Sequence, residues 1–91
     1  MTQADSSSST VGAAVLAAYS FDARGVAKRF RHAAIFGALA TLEPGEAMRF
    51  VNDHDPIPLL RQMQDRFGAA IAVEYKERGD DGVVIDFIRV A

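Results

Sequence analysis

One short run of the sequence, Asn52-Asp53-His54-Asp55-Pro56, concentrates side chains that could do chemistry. A histidine with a carboxylate on each side can bind a metal, transfer a proton or respond to pH, because its charge changes near neutrality. Pro56 favours a helix start, so this 52–56 run should join a strand to a helix. Open α/β folds place their ligand sites at such junctions. The run therefore predicts the position of a site, while its ligand or reaction stays open.

Three further side chains are expected near the 52–56 run. Asp22 and Arg24 follow the first predicted strand, and His32 lies near the start of the first predicted helix. The two strands of a βαβ unit are parallel, so the loops that follow them open at the same edge of the sheet. These three residues should therefore approach His54 at one opening at this edge of the sheet, which we call the mouth.

A metal site is one use for this mouth. His32 and His54 are the only histidines of the chain, and a carboxylate such as Asp55, Asp53 or Asp22 could complete the donor set. Two histidines and a carboxylate suit zinc, iron or manganese. The carboxylates could equally orient an imidazole by accepting its second N–H. Purely structural roles for both histidines, in a tight turn and in helix packing, are the alternative.

Basic residues at the start of the first helix offer a second use for the mouth. They are Arg24, Lys28, Arg29 and Arg31. The first turn of a helix favours negative charge through its dipole and its free N–H groups, so a small carboxylate or phosphate could bind there with His54 as a donor. A solvated helix face is the simpler alternative. Acid–base catalysis by His54 with Asp53 or Asp55 also stays open.

Composition narrows the classes of function. A chain of 91 residues forms one domain, and its net charge of −2 provides no general field for nucleic acid or anionic membranes. Because the chain has no cysteine, thiolate nucleophiles and sulfur carriers are excluded. The apolar stretch at 11–18 is too short to span a bilayer and lacks the basic flank of a signal peptide, so we expect a cytoplasmic protein.

Hydrophobic periodicity predicts the elements that position the mouth. Residues 1–14 should form a flexible polar tail and residues 15–91 a single domain. Strands are expected in the second half of 11–21 and over 47–52, 71–76 and 83–90, with helices over 28–42 and 56–67 and a hairpin loop at 78–82. This order predicts an α/β two-layer sandwich, with both helices on one face of a four-stranded sheet.

Individual residues support these elements. Asp55 is expected to cap the second helix, and Gly68 to end it in the left-handed conformation. The segment Glu43-Pro44-Gly45-Glu46 has the composition of a type II turn. Asp86 falls within the last strand, where it needs a partner such as Arg49 across the sheet.

Several segments together resemble a known bacterial family. They are Phe21-Asp22-Ala23-Arg24-Gly25, Arg31-His32, Leu42-Glu43-Pro44-Gly45-Glu46 and Asn52-Asp53-His54-Asp55-Pro56. They resemble the domain of unknown function 2249 from about Tyr19 to Val90. The resemblance implies a TusA-like fold with strand order 1-2-4-3 and strand four antiparallel to its neighbours. Some members are fused to hemerythrin-like domains, which implies a redox or metal context. The sulfur-carrier cysteine is missing at about Lys28.

The sequence thus favours a small ligand-binding or regulatory module over an independent enzyme. The expected site residues are His54, Asp53, Asp55, His32, Arg24 and Asp22, with His32, His54 and Asp55 as the metal set. The alternatives are a metal-dependent or acid–base enzyme and a protein-interaction domain that works beside a redox or hemerythrin-like partner. An uncovered sheet face would allow a homodimer. Nucleic acid is not expected as a partner, because no broad basic surface is evident.

Overall fold

The elements follow the predicted order from the first strand to the last. The computed structural model describes residues 15–91, so the predicted tail at 1–14 lies outside the described residues. The elements are β1 (Ala17–Asp22), α1 (Lys28–Thr41), β2 (Glu46–Asn52), α2 (Ile57–Phe67), β3 (Ile71–Gly79) and β4 (Gly82–Arg89), with a short 3₁₀ turn at Gly68–Ala70. Neither α1 nor α2 is long and apolar enough to cross a membrane.

The four strands form one mixed sheet in the order β1-β2-β4-β3. β1 and β2 are parallel, and Asp22 lies opposite Val51 at their shared end. β4 is antiparallel to both of its neighbours. The strand order and directions expected from the resemblance are therefore confirmed. Because β1 and β2 are parallel, the chain leaves both strands at the same edge of the sheet, next to the starts of α1 and α2.

A single hydrophobic core lies between the two helices and one face of the sheet. Side chains alternate along β2, so that Met48 and Phe50 point to this face. The rings of Phe50 and Phe87 on β4 lie 5.3 Å apart, and Phe36 of α1 stacks on Phe67 of α2 at 6.2 Å. Both helices contribute to the same cluster, with Ile35, Leu39, Leu59 and Met63 among its members. The predicted two-layer α/β architecture is confirmed.

The opposite face of the sheet carries a paired charge. Arg49 on β2 lies directly across from Asp86 on β4. The guanidinium donates from Nε and Nη2 to the two carboxylate oxygens, at 2.8 and 2.9 Å. Asp86 is only 1% exposed, so this bidentate pair compensates a buried charge. The cross-strand partner predicted for Asp86 is confirmed.

The turns agree with the glycine positions, while the hairpin is tighter than expected. Gly45 has φ 91° and the amide of Glu46 donates to the carbonyl of Glu43, as in the predicted turn. Gly68 ends α2 with the expected positive φ of 56°, but its ψ of −133° lies outside the left-handed helical region that was predicted. β3 continues to Gly79, beyond the predicted end at residue 76, because its polar second half still pairs with β4. A register shift between Tyr75 and Glu77 marks a bulge in this strand.

Candidate functional site

A small cavity of about 90 Å³ lies where the first turns of α1, the end of β2 and the start of α2 meet. Its polar lining is Lys28, Arg31, His32, Asn52 and His54, and its apolar walls include Ile35, Phe50 and Leu59. The structure therefore brings the two histidines of the chain to one cavity. None of the described residues that line it is Asp or Glu. We call it the α1–β2 cavity.

Asn52 holds the most unusual polar group of the α1–β2 cavity. As the last residue of β2 it follows the alternation of Met48 and Phe50, so its side chain lies on the face that the helices cover. The residue is 3% exposed, and its Nδ2 donates to the carbonyl of His54 at 2.9 Å. A carbonyl only accepts, so this bond fixes the orientation of the amide. Its buried Oδ1 then has no hydrogen-bond partner among the described residues.

Positive charge collects at the same place without a compensating acid. Lys28 and Arg31 belong to the first turns of α1, which has no acidic residue in its first turn and no side-chain cap. Neither forms an ion pair within residues 15–91, whereas Arg24, Arg49, Lys76 and Arg78 all do. The dipole of α1 adds to this positive potential. The α1–β2 cavity is therefore an electropositive pocket within an acidic protein.

The two histidines differ in their surroundings. His54 stands at the rim, 69% exposed, and its Nδ1 lies 2.8 Å from Oδ1 of Asp53. A carboxylate can only accept, so Nδ1–H is the donor in this contact. His32 is half-buried and meets the ring of Phe36 edge-on, with 6.2 Å between the ring centroids. Either imidazole could donate to a ligand when it is protonated.

Asp55 has a different role from the one predicted. The N-cap of α2 is Pro56, without any side-chain cap hydrogen bond. The Asp55 carboxylate instead accepts from the Tyr75 hydroxyl at 2.6 Å and from Arg78 Nη2 at 2.7 Å. The helix-cap prediction is therefore wrong, because β3 reaches far enough to take both oxygens. Burial, and then the bond to Asp55, raise the pKa of Tyr75. Asp55 thus tethers the 52–56 run to β3.

Asp22 and Arg24 pair with one another instead of joining the α1–β2 cavity. The Arg24 guanidinium donates to both carboxylate oxygens of Asp22, at 2.9 and 2.7 Å, and its backbone amide donates at 3.0 Å. These hydrogen bonds from Arg24 lower the pKa of Asp22 to about 2. Neither residue lines the cavity. Arg24 nevertheless lies close to the 52–56 run, because it lines a neighbouring depression together with Asn52. The pKa of Arg24 is raised by its hydrogen bond to Asp22 and in part by the charge of Asp53.

The predicted metal set is not assembled. Within residues 15–91, no group of three or more His, Asp or Glu side chains is placed to hold a metal ion. His32 and His54 share the cavity, but both oxygens of Asp55 are bonded to Tyr75 and Arg78. The donor set proposed for zinc, iron or manganese therefore lacks its carboxylate in this geometry.

A close approach between two backbone segments fixes the start of the 52–56 run against β4. Gly82, at the start of β4, has φ 140°, and a Cβ at this position would lie 2.4 Å from the carbonyl oxygen of Asn52. Only glycine lets these two backbone segments come this close. Asn52 and Asp53 are therefore held against β4, while Asp55 is held against β3.

Comparison with known families gives one result. The family described as "Uncharacterized conserved protein (DUF2249)" matches residues 20–89. The chain belongs to this family. The match runs from within β1 to the end of β4 and confirms the resemblance noted in the sequence. Comparison with curated proteins and with solved structures finds no match. The family description assigns no activity, so the function of this DUF2249 protein is argued from its cavity.

Proposed function

We propose that this protein is a binding module for a small anion, which it holds in the α1–β2 cavity. The observation that carries the proposal is the charge of the lining: Lys28 and Arg31 face the cavity unpaired within the described residues, and no described Asp or Glu joins them there. The nearby acids are occupied, Asp53 by His54 and Asp55 by β3. An anion would supply the missing negative charge.

The size and the walls of the cavity limit the class of anion. A cavity of about 90 Å³ is much smaller than the roughly 300–1,000 Å³ of pockets for drug-sized ligands and cofactors. Inorganic phosphate and short carboxylic acids are in the right size range. Phe50 and Leu59 exclude water from one side, which strengthens ionic hydrogen bonds to the ligand. The buried acceptor of Asn52 supports a ligand site over a solvated helix face.

Calorimetric titration with inorganic phosphate at low ionic strength tests the proposal. Lys28→Gln and Arg31→Gln should each weaken binding about tenfold, since a hydrogen bond to a charged group contributes about 1.5–3 kcal/mol. Arg61→Gln is the matched control, because Arg61 is an exposed cation on α2 outside the cavity lining. It should change the affinity less than twofold. Absence of binding by phosphate, acetate and lactate, or an equal effect of Arg61→Gln, would contradict the proposal.

An acid–base enzyme is the second candidate, and one contact favours it. The 2.8 Å contact between Asp53 and Nδ1 of His54 is the arrangement that orients a histidine as a base. This candidate predicts chemical turnover of a bound ligand, with loss of turnover in His54→Gln. The binding module predicts that lactate and a simple phosphate monoester stay unchanged during long incubation with the protein. Proton and phosphorus NMR spectra of the mixtures distinguish the two.

A further inference from the structure

We infer that the anion carries its own hydroxyl group, as a protonated phosphate or a short hydroxy acid does. This inference rests on the proposed function and specifies the ligand of the same cavity. Its basis is Asn52, whose side chain is buried beside the cationic lining. The basic side chains and the Asn52 amide oxygen each favour a different group on the ligand. Lys28 and Arg31 require negative charge, while the Asn52 amide oxygen requires a hydrogen-bond donor.

The orientation of the Asn52 amide determines that it can offer the ligand only a hydrogen-bond acceptor. Its Nδ2 is already used by the carbonyl of His54, so the group cannot rotate to present a donor without losing that bond. The Oδ1 atom is buried and unpartnered among the described residues. A buried acceptor without a donor is costly, so nearly all such groups in folded proteins are satisfied. We infer that a hydroxyl group of the ligand is the donor that Oδ1 lacks.

A ligand with only acceptor oxygens would meet one demand and violate the other. Sulfate or a simple carboxylate could bind Lys28 and Arg31, but it carries no proton that it could donate to the Asn52 oxygen. A cationic donor would satisfy Asn52 and be repelled by the two basic side chains. A hydroxyl group attached to an anion satisfies both. Hydrogen phosphate and 2-hydroxy acids share this chemistry and fit a small cavity.

Matched pairs of ligands test the inference on the wild-type protein. At neutral pH phosphate retains at least one proton, while sulfate of similar shape carries none and at least as much charge. We expect phosphate to bind at least tenfold more tightly than sulfate, although charge alone would favour sulfate. Lactate should likewise bind more tightly than propionate, which lacks the hydroxyl group. Comparing phosphate with lactate then shows which source of the hydroxyl group the cavity prefers.

The outcomes separate this inference from the proposed function. If phosphate and sulfate bind alike and lactate and propionate bind alike, the inference is overturned, because Asn52 is then satisfied in another way, while anion binding itself stands. If none of the four binds, the proposed function fails. Asn52→Leu replaces the amide with an apolar group of the same branching, so it removes the acceptor and should reduce the preference for phosphate over sulfate to less than twofold. The wild-type comparison decides the matter even if this variant does not fold.

Discussion

At the level of single residues, the acidic side chains near the α1–β2 cavity contact protein partners, whereas Lys28 and Arg31 form no ion pair in the described part of the chain. Asp22 is held by Arg24, and Asp55 by Tyr75 and Arg78. The positive charge of the cavity is therefore available to a ligand.

The Asp22–Arg24 pair gives a prediction about pH. Arg24 lowers the pKa of Asp22 from 3.8 to about 2, so the pair's stabilising contribution is present above pH 3.8 and is lost as the pH falls through about 2. Arg24→Gln should return the pKa of Asp22 toward 3.8, whereas Arg61→Gln should leave it unchanged. Carboxyl carbon NMR titration measures both. A wild-type Asp22 that titrates near 3.8 would contradict the geometry of this pair.

Sequence patterns could predict some of these partners and not others. The pairing of Arg49 with Asp86 follows from strand alternation and the need to neutralise a buried acid. The partners of Asp55 depend on how far β3 extends and on its bulge between Tyr75 and Glu77, which are long-range features of the sheet. The role of Asn52 required knowing which face of β2 the helices cover. The only indication of this role in the sequence is the position of Asn52 at the end of a strand with alternating hydrophobic residues.

At the level of elements, the 52–56 run is held by two strands that follow it in the chain. β4 contacts it through the close approach at Gly82, and β3 through the bonds to Asp55. These contacts set the position of His54 and of the Asn52 amide relative to α1. The geometry of the cavity therefore depends on the β3–β4 hairpin, although no described residue of that hairpin lines it.

Gly82→Ala should destabilise the protein by about 2 kcal/mol or more, because it combines backbone strain with a clash against the carbonyl of Asn52. Gly37→Ala is the matched control. Gly37 lies within α1, where a Cβ meets nothing within 4 Å, so alanine should stabilise the protein by about 0.5–1 kcal/mol. Urea unfolding measures both changes. Wild-type stability in Gly82→Ala would show that the run does not need this contact.

Tyr75→Phe should loosen the 52–56 run. It removes the hydroxyl bonded to Asp55 at 2.6 Å while keeping the ring, at a cost of about 1 kcal/mol. Amide exchange should accelerate at residues 53–55 more than in the helices. Tyr19→Phe is the control, because the Tyr19 hydroxyl makes only an exposed contact with Glu46 at 3.4 Å. Equal exchange rates in the two variants would argue against the tether.

At the level of the whole molecule, the architecture followed from the sequence more readily than the site did. Element order and hydrophobic alternation are local patterns, so they predicted the two layers. The strand order came from the family resemblance, which the DUF2249 match supports. The electropositive cavity could not be read from a net charge of −2, because that sum does not show which acids are paired.

The most direct test of anion binding is a phosphate titration followed by ¹H–¹⁵N NMR of the wild-type protein. The cavity predicts saturable shifts in the amides of residues 28–32 and 52–59 and in the imidazole signals of His32 and His54. The hairpin turn at 79–82 should shift much less. The absence of saturable shifts, or their concentration away from the first turns of α1 and the 52–56 run, would contradict the account.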